Sequence, residues 1–296
     1  MSKAGHKSGF VSIVGNPNVG KSTLMNALVG ERLSIVTNKA QTTRHRILGI
    51  VDTPEYQIVY SDTPGILSPH YALQEAMLAA VKQTFEDSDL LLYITDVVEK
   101  MDKNAAVLET IGGLEIPKLV LINKVDLSQQ TELEALVTQW RERWPEAKVL
   151  PVSALHNFGL EQILPWILEL LPEGEKYFPP DTLTDRPVRF FVTEIIRAKI
   201  LQFCEEEVPY SVEVAVTAYQ EAEGLDKIEA VIYVARDSQK GILIGRGGTM
   251  LKRIGTAARR DIERFLAKRV YLRLYVQVNA NWRDDAEALR EFGYIE

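Results

Sequence analysis

A single cysteine, Cys204, stands among 296 residues, so no disulfide can form within the chain and a reducing compartment is expected. Nowhere do about eighteen apolar residues run together, which leaves no candidate transmembrane helix. The opening MSKAGHKSG has no apolar signal-peptide core, and a cytoplasmic protein is the expectation. The four histidines, His6, His45, His70 and His156, have no ligand spacing with one another or with Cys204, so no zinc site is expected. Internal repeats and low-complexity tracts are missing too. Charge is plentiful but uneven. Residues 1–180 hold 16 Lys and Arg against 22 Asp and Glu, whereas Gln239 to Arg273 holds 10 basic against 2 acidic residues within a chain of net −7. One basic segment in an acidic protein points to a localised polyanion site.

From Phe10 to Leu171, short apolar runs alternate with amphipathic stretches. Strands are expected at Phe10–Val14, Gln57–Ser61, Leu90–Thr95, Lys118–Ile122 and Lys148–Pro151, with Arg46–Asp52 as an edge strand. Helices are expected from about Lys21, Ala72, Asn104, Gln130 and Gly159. This alternation predicts an α/β domain, a doubly wound and mainly parallel sheet covered on both faces, whose ligands bind beyond the carboxyl ends of the strands. Residues 172–187, with four prolines, read as a fairly stiff linker between a domain at 1–171 and one at 188–296. Beyond it the pattern gives a helix (188–207), strands at 211–219 and 227–235, a glycine-rich turn, a basic helix (249–268), a strand (270–278) and a tail helix from Asp284. A second, smaller α+β domain is predicted.

Directly after the first strand comes Gly15-Asn16-Pro17-Asn18-Val19-Gly20-Lys21-Ser22, followed by Thr23. This G-x-x-x-x-G-K-S spacing, delivered by a strand and continued by a helix, lets backbone N–H groups converge on phosphate oxygens at a helix N-terminus. Lys21 is expected to reach the β- and γ-phosphates and Ser22 to ligate Mg²⁺. Asn123-Lys124-Val125-Asp126 ends another strand. A carboxylate there accepts two hydrogen bonds from the ring imino and exocyclic amino hydrogens of guanine, a donor pair that adenine lacks. Asn123 braces the loop, the Lys124 stem covers the base, and Ser153-Ala154 supplies a backbone N–H for the guanine carbonyl. Asp62-Thr63-Pro64-Gly65 ends a third strand, placing Asp62 to hold the Mg²⁺ shell through water and the Gly65 N–H at a γ-phosphate. Thr43 is the expected hydroxyl that closes onto Mg²⁺ with GTP, with adjacent Thr42 the alternative. Lys21, Thr43 and Gly65 are thus the candidate catalytic groups, and guanosine di- and triphosphates the expected ligands.

In the second domain, Gly241-Ile242-Leu243-Ile244-Gly245-Arg246-Gly247-Gly248 precedes a helix carrying Lys252, Arg253, Arg259, Arg260, Arg264, Lys268 and, at its end, Arg269. Glycines admit a close nucleic-acid backbone, and a helix N-terminus favours phosphate. The segment resembles the KH module, whose G-x-x-G loop clamps about four nucleotides of single strand, in its type II order α-β-β-α-α-β. Ile244 to Gly248, Lys252 and Arg253 are the candidate RNA-binding residues. Ile242, Ile244 and Ile254 are candidates for an apolar groove that reads bases.

The phosphate-loop, D-x-x-G, N-K-x-D and Ser-Ala motifs together resemble the small GTPase superfamily. One departure matters: many signalling members carry, after the D-x-x-G glycine, a glutamine that orients the attacking water, and this chain has Ile66. Slow intrinsic turnover is the expectation. Asn18 resembles the asparagine that helps certain GTPases hold K⁺ near the phosphates. With QTTRHR, DTPGI, NKVD, SAL, EEVPYS and ILIGRGG, nearly the whole chain resembles the Era family of bacterial GTPases. That resemblance implies binding near the 3′ end of small-subunit ribosomal RNA, a part in assembling the small ribosomal subunit, and loose peripheral membrane association, with no obligate protein partner. An alternative reading is a GTPase signalling to a protein or membrane partner through its second domain. A metabolic kinase is a distant third, opposed by Asp126.

Overall fold

Leucine, isoleucine and valine runs of the first half become β1 (Lys7–Gly15), β2 (Ile47–Asp52), β3 (Tyr56–Asp62), β4 (Leu90–Asp96), β5 (Lys118–Asn123) and β6 (Lys148–Pro151) in the computed structural model, which describes residues 5–100 and 104–295. They form one sheet in the order β2-β3-β1-β4-β5-β6. β2 pairs antiparallel with β3, and the other pairings are parallel. The continuous burial of Leu90–Asp96 suits a strand covered on both faces. Helices α1 (Lys21–Val29), α2 (Ala72–Glu86), α3 (Ala105–Gly112), α4 (Gln130–Arg143) and α5 (Ile163–Leu170) complete the α/β pattern. Because β1, β3, β4, β5 and β6 run in one direction, Gly15, Asp62, Asp96, Asn123 and Pro151 end on the same edge of the sheet. The phosphate loop and the D-x-x-G, N-K-x-D and Ser-Ala motifs each lie at one of those ends, whereas Thr43 lies between α1 and β2.

The chain divides into two units, one running through Pro69 and Met77–Asp185, the other comprising His70–Ala76 and the residues from Arg186 onward. The proline-rich segment is bound to the first unit over most of its length. Ser8 N donates to Pro172 O at 3.2 Å, Gly174 N to His6 O at 2.9 Å, and Ile50 N to Leu183 O at 2.9 Å. Tyr177 N and Phe178 N donate to Gln57 Oε1 at 2.8 and 2.9 Å. Prolines cannot donate, so this segment contributes carbonyls and a few amides to the edge it covers.

In the second unit, α6 (Val188–Phe203), β7 (Val212–Gln220), β8 (Leu225–Val234), α7 (Asp237–Ile244), α8 (Thr249–Leu266) and β9 (Arg269–Val278) follow in the expected α-β-β-α-α-β order, and α9 (Ala286–Glu291) closes the chain. The sheet runs β7-β8-β9, antiparallel then parallel. Ile254, Ala258 and Ile262 recur at helical spacing as the buried stripe of α8, while Lys252, Arg253, Arg259, Arg260 and Arg264 are exposed. One feature differs from the sequence reading. Gly241-Ile242-Leu243-Ile244 is not a turn but the last part of α7, and only Gly245–Gly248 is loop-like. Buried Leu243 anchors that helix to the core, which overrides the glycine's preference for a turn.

Candidate functional site

The phosphate loop leaves β1 and enters α1 through Gly20, whose φ of 102° is open to glycine. A Cβ at Gly20 would sit 2.2 Å from Asn123 Nδ2. Asn123 itself donates from Nδ2 to Val19 O at 2.7 Å and accepts from Ala154 N at Oδ1 at 2.9 Å. One buried side chain thus ties the phosphate loop to both base-side loops. Lys21 is buried and donates to Gly15 O at 3.1 Å and Asn16 O at 2.8 Å. Burial lowers its pKa to about 8, opposed by the nearby carboxylates of Asp62 and Glu99.

The expected metal set converges. Ser22 Oγ lies 2.8 Å from Thr43 Oγ1 and donates to Asp62 Oδ2 at 2.8 Å. Burial pushes the Asp62 carboxyl upward, with Lys21 and hydroxyl hydrogen bonds pulling the other way. Two hydroxyls and a carboxylate within hydrogen-bond reach of one another are hard oxygen donors of the kind that Mg²⁺ takes. Thr42 is directed elsewhere, to Thr37 Oγ1 and Lys39 O, both at 2.6 Å. The geometry therefore places Thr43, not Thr42, beside Ser22. Gly65 lies against the phosphate loop, where an added Cβ would meet Pro17 Cα at 2.8 Å. Ile66 N donates to Gly15 O at 3.0 Å, while its side chain is buried with Val14, Leu108 and Val120.

On the base side, Asp126 Oδ1 accepts from Ser153 Oγ at 2.6 Å, and His156 Nε2 stands 3.7 Å from Oδ2. Lys124 spans from its αL backbone (φ 61°) to Asn18 O at 2.7 Å and Asp96 Oδ2 at 2.5 Å. The Ser153-Ala154 pair differs in detail from expectation. The Ser153 amide donates to Phe158 O at 3.0 Å and the Ala154 amide to Asn123, so the pair's first contribution is to orient Asp126 and Asn123. Asn18, Lys21, Ser22, Thr43, Gly65, Lys124 and Asp126 all line one pocket of 460 Å³. Gly15, Asn16 and Val19 are buried beneath it.

Sequence reasoning missed an outer layer. Asn16 Nδ2 donates to Glu99 Oε2 at 3.0 Å, and Asn104 Nδ2 donates to Asn16 Oδ1 at 2.7 Å and Ile66 O at 3.2 Å. Glu99 and Asn104 follow β4, and the carboxylate ending that apolar strand, Asp96, was the available signal.

In the second unit Gly245, Gly247 and Gly248 have φ of 72°, 60° and 78°, a loop that only glycine fits readily, and Gly248 caps α8. Beside it lies a groove of 400 Å³ lined by Leu251, Lys252, Arg259, Leu272 and Leu274. Gly255 also lines it, beside Leu274. The groove's apolar lining is therefore leucine. Ile254 is fully buried in the core and cannot touch a base, a correction to its expected role, and Ile242 sits exposed on α7. Alternation in Tyr271-Leu272-Arg273-Leu274 was the sequence signal for the leucines. Among the cations, Arg253 stacks on Phe203 at 4.2 Å and Arg264 pairs with Asp261 at 3.1 Å. Arg246, Lys252 and Arg260 have no acidic partner among the described residues.

Each of the two units matches a known protein family. A family model described as a 50S ribosome-binding GTPase matches residues 10–124, and a KH-domain model matches residues 207–283. The chain is 46% identical over 296 residues to the GTPase Era of Geobacter sp. (strain M21), covering 99% of this chain and 100% of that one. It is 44% identical to the GTPase Era of Syntrophus aciditrophicus (strain SB) over 293 residues, 98% of this chain and 96% of the other. Its fold is similar to that of Era crystallised with MgGDPNP and nucleotides 1506–1542 of 16S ribosomal RNA, with a TM-score of 0.94, 38% identity and coverage of 98% and 100%. An Aquifex aeolicus Era variant bound to GDP·AlF4⁻ gives the same TM-score of 0.94 and 38% identity.

Proposed function

Because this chain belongs to the Era family of GTPases, we propose that GTP binding and hydrolysis time its hold on the 3′ region of 16S ribosomal RNA during assembly of the small ribosomal subunit. The observation that carries the reading is the pairing of one pocket, where the phosphate, magnesium and guanine motifs meet, with a glycine loop that opens a basic helix over an apolar groove. Lys21 exchanges the carbonyls of Gly15 and Asn16 for β- and γ-phosphate oxygens, and the loop N–H groups receive the remaining charge. The Ser22, Thr43 and Asp62 oxygens would hold Mg²⁺, which supplies charge neutralisation between the β- and γ-phosphates. The Gly65 N–H meets the γ-phosphate, and Asp126 accepts the two guanine donors. Ile66, seated in the core, offers the attacking water nothing, and intrinsic turnover is slow.

Asn18 lines the nucleotide pocket and donates from Nδ2 to Asn38 O at 3.3 Å; its position in the phosphate loop is what supports K⁺ beside the phosphates. Equal turnover in KCl and NaCl would remove that part of the proposal. We place the protein's work in the cytoplasm. No helix among the described residues is long and apolar enough to cross a bilayer.

Filter binding of a 16S 3′-end oligonucleotide over a salt series tests the whole. Affinity should fall linearly on logarithmic axes. Replacing Gly247 and Gly248 with Asp should weaken RNA and spare GTP, and Lys21→Ala should do the reverse for nucleotide. RNA affinity untouched by the aspartates would overturn the groove assignment.

A further inference from the structure

β9 is an edge strand of the second sheet, and its two faces have different company. Leu272, Leu274 and Val276 pack against the helical core, so Arg269, Tyr271, Arg273, Tyr275 and Gln277 point to the other side. Nothing apolar in the packing needs that outer row. Yet Tyr271 is 52% and Tyr275 42% exposed, with the Arg273 guanidinium 5.8 Å from the Tyr275 ring. Lys227 lies in register beside Tyr271, and Val231 beside Tyr275. The C-terminal segment covers only the far end of this face, where Phe292 meets Tyr233 at 5.3 Å and Tyr294 Oη donates to Glu213 at 2.5 Å. The stretch from Arg269 to Tyr275 stays open.

Three observations name an occupant. First, the row alternates ring and cation, the device by which sheet surfaces stack unpaired bases while arginine meets the backbone or a base plane. Second, the charge is complementary to phosphate: the outward positions of β8 and β9 carry Arg269, Lys227 and Arg273 against Glu229, which pairs with Arg273 at 3.6 Å. Third, the face meets the α8 groove at the edge of the sheet: Leu272 and Leu274 line the groove from the core side of β9, and Arg273, on the outer row between the two tyrosines, lines it as well. Tyr271 and Tyr275 stand about 13 Å apart at about 3.3 Å per residue, wide enough for two non-adjacent bases with Arg273 between them.

We propose that Tyr271, Arg273 and Tyr275 form a second RNA site, a stacking platform for unpaired bases of the strand that continues past β9 from the α8 groove. The platform rests on the RNA-binding reading above and extends it. One G-x-x-G groove clamps about four nucleotides, so a longer single strand needs a further surface, and this one adjoins it. Stacking uses ring faces rather than phenol oxygens, so phenylalanine serves as well as tyrosine.

The test uses the full chain and two single-stranded oligonucleotides from the 16S 3′ end, of about 6 and about 15 nucleotides. The wild type should bind the long one more tightly. In Tyr271→Ala/Tyr275→Ala the long probe should lose at least about thirtyfold, for one base stacked on each of the two rings, with the short probe unchanged and GTP hydrolysis intact. Tyr271→Phe/Tyr275→Phe should restore the long-probe affinity. Long-probe affinity equal to wild type in the double alanine variant overturns the platform while leaving the groove reading intact. If Gly247→Asp/Gly248→Asp binds both probes normally, the groove reading itself is wrong. Sedimentation of RNA-free protein covers the remaining occupant: a wild-type dimer dissociated by the alanine pair assigns the face to a second copy and overturns the proposal.

Discussion

Asn123 holds Val19 across 104 residues of sequence, Nδ2 to carbonyl oxygen at 2.7 Å, and so couples the base-side loop to the phosphate loop. Its Oδ1 simultaneously accepts the Ala154 amide. Asn123→Ala leaves a buried acceptor and a buried donor without partners, at ~1–3 kcal/mol each. The melting temperature of nucleotide-free protein should fall, and GTP and GDP affinities should fall together. A normal melting temperature with weaker nucleotide binding would mean that Asn123 acts on the base alone.

Asp126 is set by Ser153 and faces the pocket with a carboxylate. Asp126→Asn replaces one acceptor oxygen with a donor. Guanine then presents its amino group to a donor, whereas xanthine, with a carbonyl at that carbon, regains a matched pair. The expected outcome is loss of GTP affinity by at least 10²-fold, as unpaired polar groups dictate, with a gain for xanthosine triphosphate. Competition binding with both nucleotides reads the switch; unchanged preference for GTP would show that Asp126 does not contact the base.

Installing glutamine at Ile66 should not create a glutamine-assisted GTPase. The isoleucine is 1% exposed among apolar neighbours, its amide fixed to Gly15 O and its carbonyl to Asn104. An amide in that site costs about 1–3 kcal/mol without partners. Ile66→Gln should lower the melting temperature and leave single-turnover hydrolysis no faster. Acceleration would mean that the segment reorganises to present the side chain.

The nucleotide site was legible because its chemistry is local: each motif is a few consecutive residues following one strand end, so spacing alone carried Lys21, Asp62 and Asp126. What spacing could not show is which neighbour takes which hydrogen bond. Thr43 and Thr42 are indistinguishable in sequence and separate only because Thr42 turns back on Thr37 and Lys39. The groove was harder. Ile254 has the right residue type near the glycine loop, but helical period puts it on the buried stripe with Ala258 and Ile262. The leucines of β9 line the groove from some twenty residues further on. Likewise, proline content marked residues 172–187 as a linker, whereas hydrogen bonds through Leu183 bind most of it to the first unit.

Lys21 gives the sharpest pH dependence. Its folded pKa of about 8 lies below the ordinary 10.5 because burial disfavours the ammonium, with Asp62 and Glu99 compensating in part. Below about pH 8 the lysine is charged in both folded and unfolded chains, and burying that charge costs roughly 3 kcal/mol at 1.36 kcal/mol per unit. Between about 8 and 10.5 the unfolded chain binds more protons than the folded one, so this contribution makes stability rise with pH. Nucleotide-free Lys21→Met should therefore be more stable than wild type at pH 7 while binding no GTP, and its advantage should shrink at pH 10. Phosphate oxygens favour the ammonium, so GTP binding above pH 8 should take up a proton and weaken as pH rises. Melting curves at the two pH values and titration calorimetry in buffers of different ionisation enthalpy measure both effects. A methionine variant less stable than wild type at pH 7 would show that the lysine's carbonyl contacts outweigh the cost of burying its charge.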